Sequence, residues 1–276
     1  DVTPVTYIAA ADFPGPPRPG GTTVLVRRLL VALAVLATTL AFGSSAAPAG
    51  AAAKDPVIVV AGFTTGPLIA PGYAPLVARL RADGYTTEIL YYEDYGVGDI
   101  ATQSAKLRDR VNALKARTGA SKVDLVAHSM GGLVSRYYVK NLGGSAHVDS
   151  LIMLGTPNYG TSIANIASFL TLGTCIGITA CQQMAIGSSF LNALNAGDDT
   201  IGNVRYTSIA TSVDLIVTPY TTSFLANDGN IQNVRVQSQC WLRFPGHLAL
   251  ILDGAVYDGV RDALRGQTVR MNCFAL

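Results

Sequence analysis

Three short apolar runs constrain this chain more than any other feature: 57–61 (VIVVA), 123–127 (VDLVA) and 148–154 (VDSLIML). Each is near-continuous rather than alternating, which is the pattern of a strand covered by protein on both faces. Helical patterns separate them. Residues 74–83 read as a helix closed by Gly84. Over 99–117, Leu107, Val111 and Leu114 recur at i, i+4 and i+7 among charged neighbours, giving an amphipathic helix. Further strands are predicted at 86–92, 204–210 and 232–237, and further helices at 131–142 and from near Leu248 to Leu264. Strands alternating with helices predict an α/β fold, a mostly parallel sheet with helices on both faces. No internal repeat is present, and one domain accounts for residues 54–276.

The charge content is low. Asp, Glu, Lys and Arg make up 14% of the chain, against about 25% in an ordinary soluble domain. The mean hydropathy is +0.34. A net charge of +2 gives no basic patch to neutralise phosphates, so no nucleic-acid partner is expected. With 49% hydrophobic residues the chain has ample side chain to bury, which excludes disorder. Part of the imbalance lies near the N-terminus. Arg27 and Arg28 precede fourteen residues, Leu29 to Phe42, that are apolar except for Thr38 and Thr39. Small residues follow, ending APAGAAAK, and the whole reads as a secretory signal with cleavage after Ala53 or one or two residues earlier. Fourteen residues make about 21 Å of helix against a hydrocarbon core of ~30 Å, too short for a membrane anchor. Residues 1–53 are therefore predicted to be an N-terminal extension plus signal peptide. On this reading Val24 or Val26 is an alternative start, and the mature, secreted protein begins at Lys54 with no transmembrane segment.

Export frames the four cysteines, Cys175, Cys181, Cys240 and Cys273. No C-x-x-C occurs and no histidine stands at zinc-ligand spacing, so neither a metal nor a cofactor is expected. An even count in an oxidising compartment favours two disulfides. Of three pairings, Cys175–Cys181 with Cys240–Cys273 is favoured, with free buried thiols as the alternative.

The strand at 123–127 runs into Ala127-His128-Ser129-Met130-Gly131-Gly132 and then a helix. A sharp strand–nucleophile–helix turn needs small residues two before and two after the serine, and Ala127 and Gly131 supply them. Such a serine needs a base and an orienting acid. Of three histidines, His128 is adjacent to Ser129 and leaves the turn in another direction, and His147 reads as a solvated loop residue. His247 follows the last strand and opens the final helix, which makes it the candidate base. The acid should lie between Ser129 and His247. Asp149 begins a strand at the wrong end of the sheet, and Asp198 and Asp199 read as surface charges. Asp214 follows the strand at 204–210 and precedes the apolar Leu215-Ile216-Val217, and it is favoured over Asp228. An oxyanion needs two backbone N–H donors. Met130, after the nucleophile, is one candidate. Phe63, in the loop Ala61-Gly62-Phe63-Thr64-Thr65-Gly66-Pro67, is the other.

VDLVAHSMGGLVSRYYVKNLGG, LGTPNYGT, YTSIATSVDLIVTP and PGHLAL together resemble the secreted bacterial triacylglycerol lipases of the α/β-hydrolase superfamily. The resemblance is to the small Bacillus-type A-H-S-M-G lipases and related actinomycete lipases, and it covers 56–266. It implies hydrolysis of carboxylic esters of glycerol by a Ser129–Asp214–His247 triad through an acyl-enzyme, with Phe63 and Met130 as oxyanion donors. Two departures stand out. The segment between Leu154 and residue 204 is longer than in the smallest, lidless members, and the first loop reads A-G-F-T-T-G where the family often has H-G. Rival readings are a carboxylesterase for short soluble esters, an acyltransferase using the same acyl-enzyme, and a non-catalytic secreted lipid-binding protein.

Charge patterning bears on the substrate independently. Residues 150–197 contain no Asp, Glu, Lys, Arg or His, and 56–78 and 215–227 are likewise uncharged. Three loops expected around one site thus all lack charge, as contact with acyl chains or lipid aggregates would favour. In the long run, Ile163, Ile166, Phe169, Leu170, Leu172, Ile176 and Ile178 are diluted by Gly, Ser, Thr and Asn. Residues 155–200 are accordingly predicted to form a lid or cap insertion on a monomer, with interior packing as the alternative.

Overall fold

Six strands lie side by side, and every neighbouring pair is parallel. They are β1 (Val57–Val60), β2 (Thr87–Leu90), β3 (Val123–His128), β4 (Val148–Leu154), β5 (Arg205–Ala210) and β6 (Ile231–Arg235), in the order β2-β1-β3-β4-β5-β6. The computed structural model describes residues 54–162, 166, 175–226 and 229–276. The signal peptide predicted within 1–53 lies outside them, as do Ile163, Phe169, Leu170, Leu172 and Asp228.

Strand pleating explains why the apolar runs do not alternate. Ile58, Val60, Leu125, Ala127, Leu151 and Met153 point into one apolar layer. Val57, Val59, Val126, Ile152 and Leu154 point into the other. Successive side chains leave a strand on opposite faces, so covering both faces demands apolar residues at every position. The first layer is completed by α2 (Ile100–Thr118) and α3 (Met130–Asn141). The second is completed by α1 (Ala74–Ala82) and by a C-terminal helix, Gly254–Leu264. Helix α2 has the caps its sequence suggests. Asp99 accepts from the Thr102 N–H at 2.9 Å, and Gly119 ends the helix in the left-handed region at φ 72°.

Two elements depart from expectation. The final helix is broken: a 3₁₀ turn at His247–Ile251 precedes the helix at Gly254–Leu264. Asp253 causes the break, because its carboxylate caps the Val256 N–H at 3.0 Å and starts a new helix. The last strand ends at Arg235, and 236–239 turn into one helical turn.

Within the charge-free run, α4 (Thr179–Gln183) and α5 (Ser189–Leu194) send Ala180, Cys181, Leu191 and Leu194 into the first apolar layer. This flank of the run is core, while Ile176 and Ile186 are exposed. After β6, the sequence closes with α6 (Val236–Gln239) and α7, the helix at Gly254–Leu264. Cys175 pairs with Cys181 and Cys240 with Cys273, the Cα atoms 5.6 and 5.2 Å apart. Among the described residues no helix is long and apolar enough to cross a membrane.

Asp198 and Asp199 separate in a way the sequence reading did not anticipate. Asp198 is exposed, as expected, but Asp199 is buried against Arg136 of α3 at 2.8 Å. It also accepts from the Tyr159 hydroxyl and from the Ala226 N–H. Arg136 sits on the buried side of α3, and a buried guanidinium requires a paired carboxylate.

The strand order reverses between β1 and β3, so the chain leaves these neighbours in opposite directions across the sheet. A crevice opens at such a reversal, at the carboxyl ends of the strands. The amino ends instead gather Asp55, Asp124 and Asp149, with carboxylate oxygens within 4.8 Å of one another. Burial there pushes the Asp124 carboxyl up to about 7, against the pull of a Ser150 hydrogen bond. A group that holds its proton more tightly when folded stabilises the fold fully below the ordinary carboxyl range, and that contribution is lost as pH rises through about 7. Asp124→Asn is therefore expected to raise Tm by a few degrees at pH 8 and to leave it nearly unchanged at pH 4. An equal shift at both pH values would show that Asp124 does not carry this pH dependence.

Candidate active site

Ser129 stands between β3 and α3 with φ 55° and ψ −129°, a strained conformation for a residue with a side chain. Its surroundings hold it there. The Ser129 N–H donates to the Leu154 carbonyl at 2.9 Å, and its own carbonyl accepts from Gly132 at 3.0 Å. The two glycines that follow let α3 pass close to the sheet. A Cβ at Gly131 would lie 2.4 Å from the Val60 carbonyl oxygen, and one at Gly132 would lie 2.0 Å from Thr156 Oγ1.

His247 and Asp214 come together at this same edge. Asp214 follows β5, and one of its oxygens lies 2.7 Å from His247 Nδ1. Its other oxygen accepts from the Ile216 and Val217 N–H groups at 2.9 and 2.8 Å. Both side chains are almost fully buried. An Nδ1 hydrogen donated to this carboxylate fixes the ring's orientation and leaves Nε2 as the nitrogen turned away from Asp214.

Both candidate N–H donors lie at this edge. Met130 heads α3, where a first-turn N–H has no intrahelical carbonyl to bond. The Phe63 N–H has no acceptor among the described residues. The loop behind it carries Thr64 at φ 63°, a second strained residue.

A cavity of about 320 Å³ opens beside Ser129 and His247. Its lining includes Phe63 and Thr64, Pro157, Ile166 and Met184, and Ile216, Leu248 and Leu252. No Asp, Glu, Lys or Arg is among its described lining residues.

Two residues that the sequence reading set aside or did not single out are central here. His128 is buried, with Nδ1 2.8 Å from the Tyr73 hydroxyl and Nε2 3.1 Å from the His247 carbonyl oxygen. Burial, with the neighbouring His247, pushes its pKa down to about 3. The ring is therefore neutral, and neither nitrogen is left to serve Ser129. Tyr73 gave no signal in sequence beyond being an aromatic near a proline. His147 is half-buried beside Lys115 and remote from these groups, and Asp149 pairs with Lys122 and Arg205 at the opposite end of the sheet.

A parallel sheet with helices on both faces and a strand–serine–helix turn at its carboxyl edge is an α/β-hydrolase. The sequence profile of the class 2 lipases matches residues 54–247. The chain belongs to that family. Among solved structures it is similar to Aspergillus fumigatus lipase B, with 20% identity and a TM-score of 0.66 over 81% of this chain and 55% of that one. The chain thus spans little more than half the length of the fungal protein. Bacillus licheniformis lipase BlEst2 in its mature form is similar at 18% identity and TM-score 0.58, covering 73% of this chain and 88% of that one. A carboxylesterase of the thaumarchaeon Nitrososphaera gargenis is similar at 13% identity and TM-score 0.54, covering 77% and 90%. At these identities the likeness is one of fold.

The close approach of α3 gives a direct test. Gly131→Ala sets a methyl against carbonyl oxygens of Val60 and Ala61, at 2.4 and 2.6 Å, which the sheet holds in place. A loss of roughly 1–3 kcal/mol in stability is expected, measured by urea unfolding. Wild-type stability would mean that this contact does not set the position of α3.

Proposed function

We propose that this protein is an exported triacylglycerol lipase in which Ser129 is the nucleophile, His247 the base and Asp214 the orienting acid. One observation carries the reading: a strained serine and an imidazole held from behind by a buried carboxylate border one cavity with no Asp, Glu, Lys or Arg among its described lining residues. His247 Nε2 takes the Ser129 hydroxyl proton as Oγ adds to the ester carbonyl carbon. The oxygen that gains charge is held by the Phe63 and Met130 N–H groups. Collapse breaks the bond to the alcohol, which leaves with the proton from His247, and an acyl-enzyme remains. Water, deprotonated by His247, then adds to the acyl carbon, and the fatty acid leaves as Ser129 recovers its proton.

Several features support a lipid substrate. An acyl chain gains about 0.8 kcal/mol for each CH₂ it buries in an apolar cavity. Of the lining residues, Ile69, Leu248 and Leu252 are about half exposed, and Leu215, which shares an adjoining groove with Leu248, is 82% exposed. Such a rim would rest on a lipid aggregate. Ile166 and Met184 line the cavity from within 155–200, which supports a covering role for that segment. The two cysteine pairs fit an oxidising, extracellular location.

Ser129→Ala is expected to lower hydrolysis of a p-nitrophenyl acyl ester by at least 10³-fold while leaving Tm near wild type. Undiminished turnover would sink the triad assignment. The substrate class has its own test in a chain-length series on emulsified triglycerides. Hydrolysis of long-chain emulsions is expected. Activity confined to short monomeric esters would identify a carboxylesterase, and ester products formed with an added alcohol in preference to acid would identify an acyltransferase.

A further inference from the structure

One peptide unit at the end of β1 is held at both of its polar ends by buried tyrosines. The Ala61 carbonyl accepts from the Tyr92 hydroxyl at 2.9 Å. The N–H of the same unit, on Gly62, donates to the Tyr73 hydroxyl at 2.8 Å. Tyr92 follows β2, and Tyr73 ends a 3₁₀ turn, Ala70–Tyr73, ahead of α1, so the two phenols come from separate segments. Both are almost inaccessible to solvent, and burial keeps both hydroxyls protonated.

The next N–H along the chain is that of Phe63. Gly62 is glycine because a Cβ there would stand 3.0 Å from Ser129 Cβ and 3.2 Å from His128 Nδ1. The close approach therefore removes the side chain that would have limited rotation about Gly62. Fixing both ends of the preceding peptide restores that limit.

The chain of hydrogen bonds continues in one consistent direction. The Tyr73 oxygen accepts from Gly62, so its own proton is free for His128 Nδ1 at 2.8 Å. His128 Nε2 must then carry the hydrogen that reaches the His247 carbonyl at 3.1 Å. Each donor meets an acceptor, and a neutral His128 is what this pattern requires.

We propose that Tyr73, Tyr92 and His128 are positioning residues: the two tyrosines clamp the Ala61–Gly62 peptide so that the Phe63 N–H is aimed at the reacting oxygen, and His128 ties this clamp to the backbone of His247. The donor and the base are thereby set relative to each other by one buried relay. The inference rests on the roles given to Phe63 and His247 in the proposed function.

The test uses the full-length exported protein and compares Tyr73→Phe, Tyr92→Phe and Ser129→Ala. Each Phe variant removes one hydroxyl and keeps the ring. Each is expected to lower kcat by about 10- to 100-fold with KM within about twofold. An alkyl boronic acid supplies a readout that loss of packing would not move. Its boron accepts Ser129 Oγ and becomes tetrahedral, with an oxygen where the oxyanion would lie. Its Ki is expected to rise in proportion to the loss in kcat, while binding of an uncleavable ether analogue stays unchanged. Wild-type kcat and boronate Ki in the two Phe variants would overturn the clamp, and so would a rise in KM with kcat retained.

His128→Gln and His128→Leu make a second comparison, which serves also if a Phe variant fails to fold. Gln offers one acceptor and one donor and is expected to retain most of the kcat that Leu loses. Equal losses in both would overturn the relay. Turnover surviving in Ser129→Ala would instead overturn the site reading beneath it, and the clamp with it.

Discussion

The contact between α3 and the end of β1 is the constraint on which the rest of the molecule depends. Parallel strands deliver β1 and β3 to the same edge in register, Val60 beside Ala127. For Ser129 to stand clear of that edge, its backbone must take a positive φ, which a serine resists. The cost is offset only if the helix that follows is locked in place. Gly131 and Gly132 allow this, because α3 then lies against backbone atoms of β1 and against Thr156 after β4. A helix held on two sides cannot relax and carry the serine back into an ordinary conformation. The Met130 N–H is thereby kept at the head of α3, where the proposed function uses it.

Charge is distributed around that contact unevenly. At the amino ends of the strands, Asp55, Asp124 and Asp149 meet Lys122 and Arg205. At the carboxyl ends, the buried polar groups near the cavity bond to one another and to backbone: Asp214 to His247 and to the Ile216 and Val217 N–H groups, and His128 to Tyr73 and the His247 carbonyl. An unmatched charge in such a place would cost several kcal/mol, so each buried polar group there needs a hydrogen-bonding partner. The same economy explains the neutral state of His128, whose two nitrogens face a hydroxyl and a carbonyl rather than a carboxylate. The cavity is left with a lining that repels no acyl chain.

How much of this was legible beforehand follows from the range of the interactions. Strands buried on both faces write their burial into every residue, so the parallel sheet could be read from VIVVA, VDLVA and VDSLIML. The serine turn was legible because its small residues are neighbours in sequence. Asp214 and His247 stood out as candidates because each follows a strand whose carboxyl end must lie at that edge, and their side chains are 2.7 Å apart. Asp199 was misread as a surface charge, since its partner Arg136 lies 63 residues away and no local pattern marks the pairing. The break in the last helix was missed for the opposite reason: Asp253 is a local cap signal that the apolar periodicity around it concealed.

Tyr73 and His128 belong with Asp199, separated by 55 residues and joined only after the sheet forms. Nothing in the sequence distinguishes Tyr73 from the other tyrosines, because its hydroxyl acquires a role only through where β1, β3 and the 3₁₀ turn at 247–251 meet. Catalytic chemistry is conveyed by residue type and order along the chain, whereas aiming is conveyed by contacts that only the assembled fold creates. A glycine such as Gly62 shows the boundary between them. Its presence in the loop is readable as permission for a tight turn, yet the permission is also a freedom. What removes that freedom, two phenols on opposite ends of one peptide, comes from segments 11 and 31 residues distant.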